Sequence, residues 1–232
     1  FGLQRWFIGL FVSIGNQKRM DDILLLPKWE AEDAKKPCER VWSLELENVG
    51  FRYDESGKYL FRHLSYRFVP GDTVVIRGRS GSGKTSLIKL LLRFEKPTEG
   101  MIKINGTDIA AYEESSLCRQ IAVASQYTEF VAGTLRENLL LSGAVRSDAD
   151  IEKILALLEL STLTEKLPNG LDTVLSEETA SFSDGEKKRL GLARALLSDA
   201  SILIFDEPTS SLDNKTKEPV MEIIRDACKD KI

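Results

Sequence analysis

GRSGSGKT, residues 78–85, follows the apolar run TVVI at 73–76 and leads into SLIKLLLRF from Ser86. Its G-x-x-x-x-G-K-[ST] spacing is that of a loop built to hold phosphate. Gly78, Gly81 and Gly83 let the backbone curl so that its N–H groups point inward. A helix beginning near Lys84 adds the positive end of its dipole. Lys84 reaches the β- and γ-phosphates of a nucleotide, and Thr85 ligates Mg²⁺. Thr73 to Arg77 is predicted to be a short buried strand, and the residues from Ser86 a helix packed against it. A glycine-rich turn with a chance lysine would not come with strand, loop and helix in this order. A phosphate loop alone leaves kinases, GTPases, motors and transporters open.

The chain has 232 residues, enough for one large α/β domain with a substantial core. Its net charge of −4 gives no support to a nucleic-acid surface. Cys38, Cys118 and Cys228 are widely spaced, show no metal-ligand spacing and suggest a reducing compartment. The single histidine, His63, lies in YLFRHLSYRF and is read as a strand or hairpin surface residue.

The chain begins with Phe1 rather than Met, so a fragment or processed product is expected. The apolar part of FGLQRWFIGLFVSIGNQKRMDDILLL is too short for a full membrane span and is interrupted by Gln4 and Arg5. It lacks a signal-peptide layout. The end of a longer membrane helix, an amphipathic surface helix and an N-terminal helix of a soluble protein all fit it. PKWEAEDAKKP, at 27–37, is polar, charged and bounded by prolines, as a linker is.

A compact domain is predicted from about Val41. WSLELENVGFRY alternates as a half-buried strand does, DESG turns, and KYLFRHLSYRFV returns as one or two strands. PTEG is a turn before the short strand MIKI, which ends at NGTD. SSLCRQIAVASQ carries a short helix into a strand. RENLLLSG and ADIEKILALLEL are amphipathic helices, with Asp148 and Asp150 suited to the N-terminus of the second. GEKKRLGLARALLSD is a further helix, and another starts near Asn214 with Pro219 inside it.

SILIFDEP reads as a buried strand closed by two acids. Open α/β sheets bind ligands at that end of a strand. Asp206 is therefore placed to reach an Mg²⁺ shell, and Glu207 to serve as general base for an attacking water; the plainer reading is two acids capping a turn. Gln126, after the strand IAVAS, is either a contact to metal or water or an ordinary polar loop residue. Ser183 and Gly185 sit just before a helix and offer an O–H and an N–H to phosphate. With one phosphate loop already complete, such a second segment would serve another nucleotide, such as one held by another subunit.

Taken together, these segments resemble the nucleotide-binding domain of ATP-binding-cassette (ABC) transporters of the exporter type. GRSGSGKT is similar to the Walker A loop, SILIFDE to Walker B, SFSDGEKKRLGLARALL to the cassette signature region and SSLD, at 210–213, to the D-loop. The resemblance covers roughly 41–232. It implies an α/β P-loop core with an antiparallel β subdomain and a helical signature subdomain at about 127–195. The nucleotide-binding residues it implies are Tyr53 stacking on adenine, Gly78, Arg79, Ser80, Gly81, Ser82, Gly83, Lys84, Thr85 and Ser86 around the phosphates, Gln126 and Asp206. Thr85, Gln126 and Asp206 would serve Mg²⁺, with Glu207, Lys84 and Gln126 in catalysis. Ser183 and Gly185 would grip ATP held by the opposite subunit, with Asp213 at the dimer seam. LDTVLSEE, with Glu177, resembles the exporter segment before the signature.

The implied cofactors are ATP and Mg²⁺. The implied partners are a second nucleotide-binding domain, identical or different, and transmembrane domains in the same polypeptide; no nucleic acid is expected. On this reading 1–26 is the end of the last transmembrane helix, with Arg19 where the family often has arginine. Residues 27–40 are then a linker, and the domain faces the cytosol or an organelle matrix. LLRFEKPTEG and GEKKR lean toward the mitochondrial iron–sulfur-linked exporters. Two departures stand out. Asp184 puts a carboxylate where the family motif has glycine, which disfavours a triphosphate unless the side chain turns away. The family's switch histidine would fall past Ile232, as if the chain were truncated there. A soluble cassette of repair or translation and a catalytically weak gating cassette are the rival readings.

Overall fold

The computed structural model describes residues 35–54, 57–125, 128–175, 182–210 and 214–232. The segment 1–26, Arg19, most of the linker, Gln126, Glu177 and Asp213 lie outside the described residues.

Alternation makes the first strand. In β1 (Leu44–Phe51), Leu44 and Leu46 point into the core and Glu45 and Glu47 outward. β1 pairs antiparallel with β2 (Phe61–Phe68) on one edge and with β3 (Glu99–Ile104) on the other. β3 turns back through Asn105 and Gly106 into β4 (Thr107–Asp108). The buried face sets Leu44 opposite Ile104 and Leu46 opposite Ile102, while on the outer face Lys103 pairs with Glu47 at 2.7 Å. His63 is on the exposed surface of β2, as expected, bonded through Nδ1 to Asn48 Oδ1 at 2.9 Å. Helix α1 (Lys84–Leu91) buries Leu87, Leu90 and Leu91 in the core that this sheet also lines.

Helix α2 (Glu114–Gln120) runs into β5 (Ile121–Ala124), which pairs in parallel with β8 (Ile202–Phe205), Ile121 opposite Ile202. Between them come α3 (Leu135–Leu139), α4 (Asp148–Leu157), α5 (Ser161–Lys166) and α6 (Asp184–Leu197), with the small antiparallel pair β6 (Gly133–Thr134) and β7 (Val174–Leu175). Leu139, Ile151, Leu155, Leu158 and Leu190 meet in a second core. Three of these helices start with a capping box: Thr134 with Glu137, Ser147 with Asp150, and Ser183 with Glu186. Helix α7 (Asn214–Ala227) continues through Pro219. Cys38 and Cys228 are buried free thiols, and burial pushes both up from the ordinary thiol value.

Thr73–Arg77 departs from expectation. The segment forms no strand and is exposed, Val75 at 68% and Ile76 at 50%. The reason lies in the edges of β8. One edge holds β5. At the other, the Ile232 N–H donates to the Ser201 carbonyl at 2.9 Å and the Leu203 N–H donates to the Ile232 carbonyl at 2.7 Å. The Gly71 N–H donates to the Lys231 carbonyl at 2.8 Å, so the segment leaves from beside the last residues of the chain. A strand needs a ladder partner as well as apolar residues, and 73–77 has none among the described strands. No helix of the described residues is long and apolar enough to cross a membrane.

Candidate nucleotide site

The loop that starts at Gly78 ends on Gly83, which precedes α1 in the left-handed conformation at φ +90°. A Cβ there would also lie 2.9 Å from Phe61 Cδ1, so glycine is required twice, for backbone and for space. No side chain caps α1, in contrast with the boxed starts of α3, α4 and α6. The leading N–H groups of α1 are left to solvent or to an anion. Lys84 lies over the loop, its Nζ donating to the carbonyls of Gly78 at 2.8 Å and Arg79 at 3.2 Å. The ammonium thus sits where phosphate oxygens would compete with carbonyls for it. Thr85 is exposed, and Ser86 is buried with its Oγ 3.0 Å from Tyr53 Oη. That bond ties the aromatic to the first turn of α1. Phe51 meets the Tyr53 ring edge-on at 4.9 Å, Lys89 Nζ lies 5.5 Å from its centroid, and the residue is 55% exposed.

Asp206 follows β8 directly. Its N–H donates to the Ala124 carbonyl at 2.9 Å, which extends the β5–β8 pairing by one residue, and it is half-buried. Ile204 of β8 and Leu87 of α1 pack in the same core, so the acid-bearing strand and the phosphate-loop helix share one hydrophobic anchor. Glu207 is exposed and left-handed at φ +51°, a conformation that costs a non-glycine residue about 1 kcal/mol or more. The Ser210 N–H closes the turn onto the Glu207 carbonyl at 3.1 Å, and Lys188 Nζ of α6 donates to Ser210 Oγ at 3.1 Å. The Thr85 hydroxyl and the Asp206 carboxylate are hard oxygen donors, the kind that suit Mg²⁺.

Ser183 and Gly185 stand apart from this group. Ser183 caps α6: its Oγ–H donates to Glu186 Oε2 at 2.6 Å and its N–H to the same oxygen at 2.8 Å. These bonds hold the Glu186 carboxyl below its ordinary value. No hydrogen bond among the described residues joins Ser183 or Gly185 to the loop at 78–86. Asp184, the first helical residue of α6, is exposed, where its charge complements the helix dipole. The S-x-x-E spacing of this capping box is visible in SDGE.

A glycine-opened loop leading into an uncapped helix, with an acidic pair at the end of a neighbouring parallel strand, defines a P-loop nucleotide-binding domain. Residues 61–210 match the ABC transporter family, and the chain belongs to that family. Its mixed architecture is that of an ABC-type ATPase, a domain that binds ATP. It is 39% identical over 184 residues to the mitochondrial iron–sulfur clusters transporter ATM1 of Candida glabrata, covering 79% of this chain and 25% of that protein. It is 36% identical over 197 residues to the ATP-dependent lipid A-core flippase of Alkalilimnicola ehrlichii, covering 84% of this chain and 33% of the flippase. A solved bacterial Atm1-family ABC exporter with ATP bound superposes with a TM-score of 0.79 at 28% identity, over 97% of this chain and 40% of that one. The chain therefore spans between a quarter and two fifths of the length of these relatives.

Proposed function

We propose that the chain is the ATPase cassette of an exporter, working as one of a pair that closes around two ATP molecules. The observation that carries this reading is the separation of the two phosphate-facing groups. The loop at 78–86 opens α1, whose Leu87 shares a core with Ile204 of the strand that Asp206 and Glu207 follow, whereas Ser183 and Gly185 open α6 with no hydrogen bond to that loop among the described residues. A second copy or a related cassette then supplies the missing half of each site. The cassette occupies 41–232, with 27–40 as linker and 1–26 as the end of a transmembrane helix in the same polypeptide, on the cytosolic or matrix side of a membrane. The names of the relatives favour an exporter, and LLRFEKPTEG and GEKKR lean toward the iron–sulfur-linked group.

In this site the Lys84 ammonium exchanges the Gly78 and Arg79 carbonyls for β- and γ-phosphate oxygens. The N–H groups of the loop and of α1 stabilise charge on the transferring phosphoryl. Tyr53 offers an exposed ring face to adenine. Asp206 and Thr85, with Gln126, would hold Mg²⁺, which neutralises phosphate charge when bound. Glu207, fixed by its turn, accepts the proton of the attacking water.

Glu207→Gln tests the reading. Turnover should fall by about a hundred-fold or more while MgATP affinity changes less than about three-fold, because the groups that hold the nucleotide remain. Turnover per chain of the parent protein should rise with protein concentration while dimers are scarce. Near-normal turnover in Glu207→Gln would remove Glu207 as the base. A high rate independent of concentration, from a monomer verified by light scattering, would defeat the shared-site mechanism.

A further inference from the structure

Four residues after the 126–127 pair, Thr128 to Val131, are gripped from three sides. Asn138 of α3 is fully buried and clamps Val131 at both ends: the Val131 N–H donates to Asn138 Oδ1 at 2.9 Å and Asn138 Nδ2 donates to the Val131 carbonyl at 2.9 Å. Arg194 of α6 reaches across both elements. Its Nη2 donates to the Glu129 carbonyl at 3.1 Å and its Nε to the Asn138 carbonyl at 2.8 Å, while the guanidinium lies 5.5 Å from the Phe130 centroid. Beneath Thr128, α6 presents Gly191, and a Cβ there would overlap Thr128 Oγ1 and lie 3.2 Å from Thr128 Cβ. Phe130 in turn packs edge-on against buried Phe182 at 5.4 Å, and Phe182 is the residue before Ser183.

Arg194 is an unusual choice for this place. It is half-buried, its hydrogen-bond partners are backbone carbonyls, and it has no salt bridge among the described residues. Burying a cation without a carboxylate is unfavourable unless its donors are satisfied in a fixed geometry. A planar fork meeting two carbonyls and an aromatic face does that, and the single ammonium of lysine would not. The fork therefore specifies position.

We propose that Arg194 is a positioning residue that locks the segment following Gln126 to the helix opened by Ser183, so that these two parts of one chain shift as a single body when nucleotide binds. The role assigned to Gln126 and Ser183 rests on the cassette reading above, but the mechanical coupling does not. Coupling of this kind has to be shown by perturbing one end and reading the other.

Amide hydrogen exchange on the 232-residue chain does this without relying on turnover. In Arg194→Lys, protection of the Val131 amide should fall about ten-fold, and that of the Ser183 and Glu186 amides by a similar factor, with β1 and β3 unchanged. Loss at Val131 alone, with Ser183 and Glu186 unaffected, would overturn the proposal. Phe182→Leu gives the reciprocal arm, and it stands in if Arg194→Lys fails to fold. It should lower protection at Val131, and an unchanged Val131 would also overturn the proposal. A merely structural arginine is separated by a third readout. Saturating MgATP in a Glu207→Gln background should raise protection of both segments together, and in Arg194→Lys the two responses should part. Responses that remain locked together in the lysine variant would refute the role. Ser183→Ala, scored by MgATP-driven association, tests the cassette reading separately; indifference there would sink that reading and leave the exchange result standing.

Discussion

On the proposed shared-site arrangement, Glu186→Gln should tighten the grip of this chain on a nucleotide held by a second cassette. In the structure the Ser183 hydroxyl proton is committed to the Glu186 carboxylate at 2.6 Å. A hydroxyl in that bond cannot donate to a phosphate. Hydrogen bonds to a charged group are worth about 1.5–3 kcal/mol and neutral ones about 0.5–1.5, so freeing the hydroxyl is about 1 kcal/mol harder from glutamate than from glutamine. Glutamine also reverses the bond. Its amide N–H can donate to Ser183 Oγ, which leaves the hydroxyl proton available. The expected gain is roughly five-fold in the MgATP concentration that half-drives association, since about 1.4 kcal/mol is ten-fold. Glutamine serves in a capping box as glutamate does, so α6 should lose no more than about 0.5 kcal/mol, mainly from the helix dipole. Sedimentation velocity over a MgATP titration, with Glu207→Gln in both proteins to prevent hydrolysis, reads the half-point. Glu137→Gln is the control, because it alters the same kind of box at Thr134 without facing a proposed nucleotide. A half-point that stays put or moves upward in folded protein would refute the idea that Glu186 competes for Ser183.

Gly191→Ala should destabilise the chain by up to about 2 kcal/mol in urea unfolding. The helix gains about 1 kcal/mol from alanine, but the new Cβ must displace Thr128, and overpacking of this kind costs about 1–3. Adding Thr128→Ala should recover most of the loss, and failure to recover would place the strain elsewhere. Arg136→Met should lower Tm, and the loss should shrink as salt rises to about 1 M, because Arg136 bridges Asp148 and Asp172 at the surface. Acid should act through the same groups. The carboxyls of Asp172, Asp150 and Glu99 are held below their ordinary values by hydrogen bonds from Arg136, Ser147 and Arg62 respectively. Depressed carboxylates stabilise the fold above their unfolded values, so stability should hold near neutrality and fall as pH drops below about 4. In Arg136→Met the part due to Asp172 should vanish from that pH dependence.

The parts of the fold and site that could be read from sequence are those in which a residue type and a spacing determine a local geometry. The loop at 78–85 is one, since glycine at 83 and lysine at 84 act within a single turn. The alternation of Leu44, Glu45, Leu46 and Glu47 is another. Thr73–Arg77 is the contrary case. Its valines and isoleucine record what the segment could bury, whereas a strand also needs an unoccupied edge, and the β8 edge is met by Ile232. The clamp on 128–131 was invisible for a related reason: the partners of Arg194 are backbone carbonyls, which carry no residue signature. Ser183 is the subtler case. Its place before a helix suits the hydroxyl to phosphate donation, yet the same S-x-x-E spacing commits that hydroxyl to Glu186. Both readings use the same atoms. Which one holds depends on whether a nucleotide on a second chain outbids a carboxylate three residues away, and that is a difference of free energies that spacing alone does not encode.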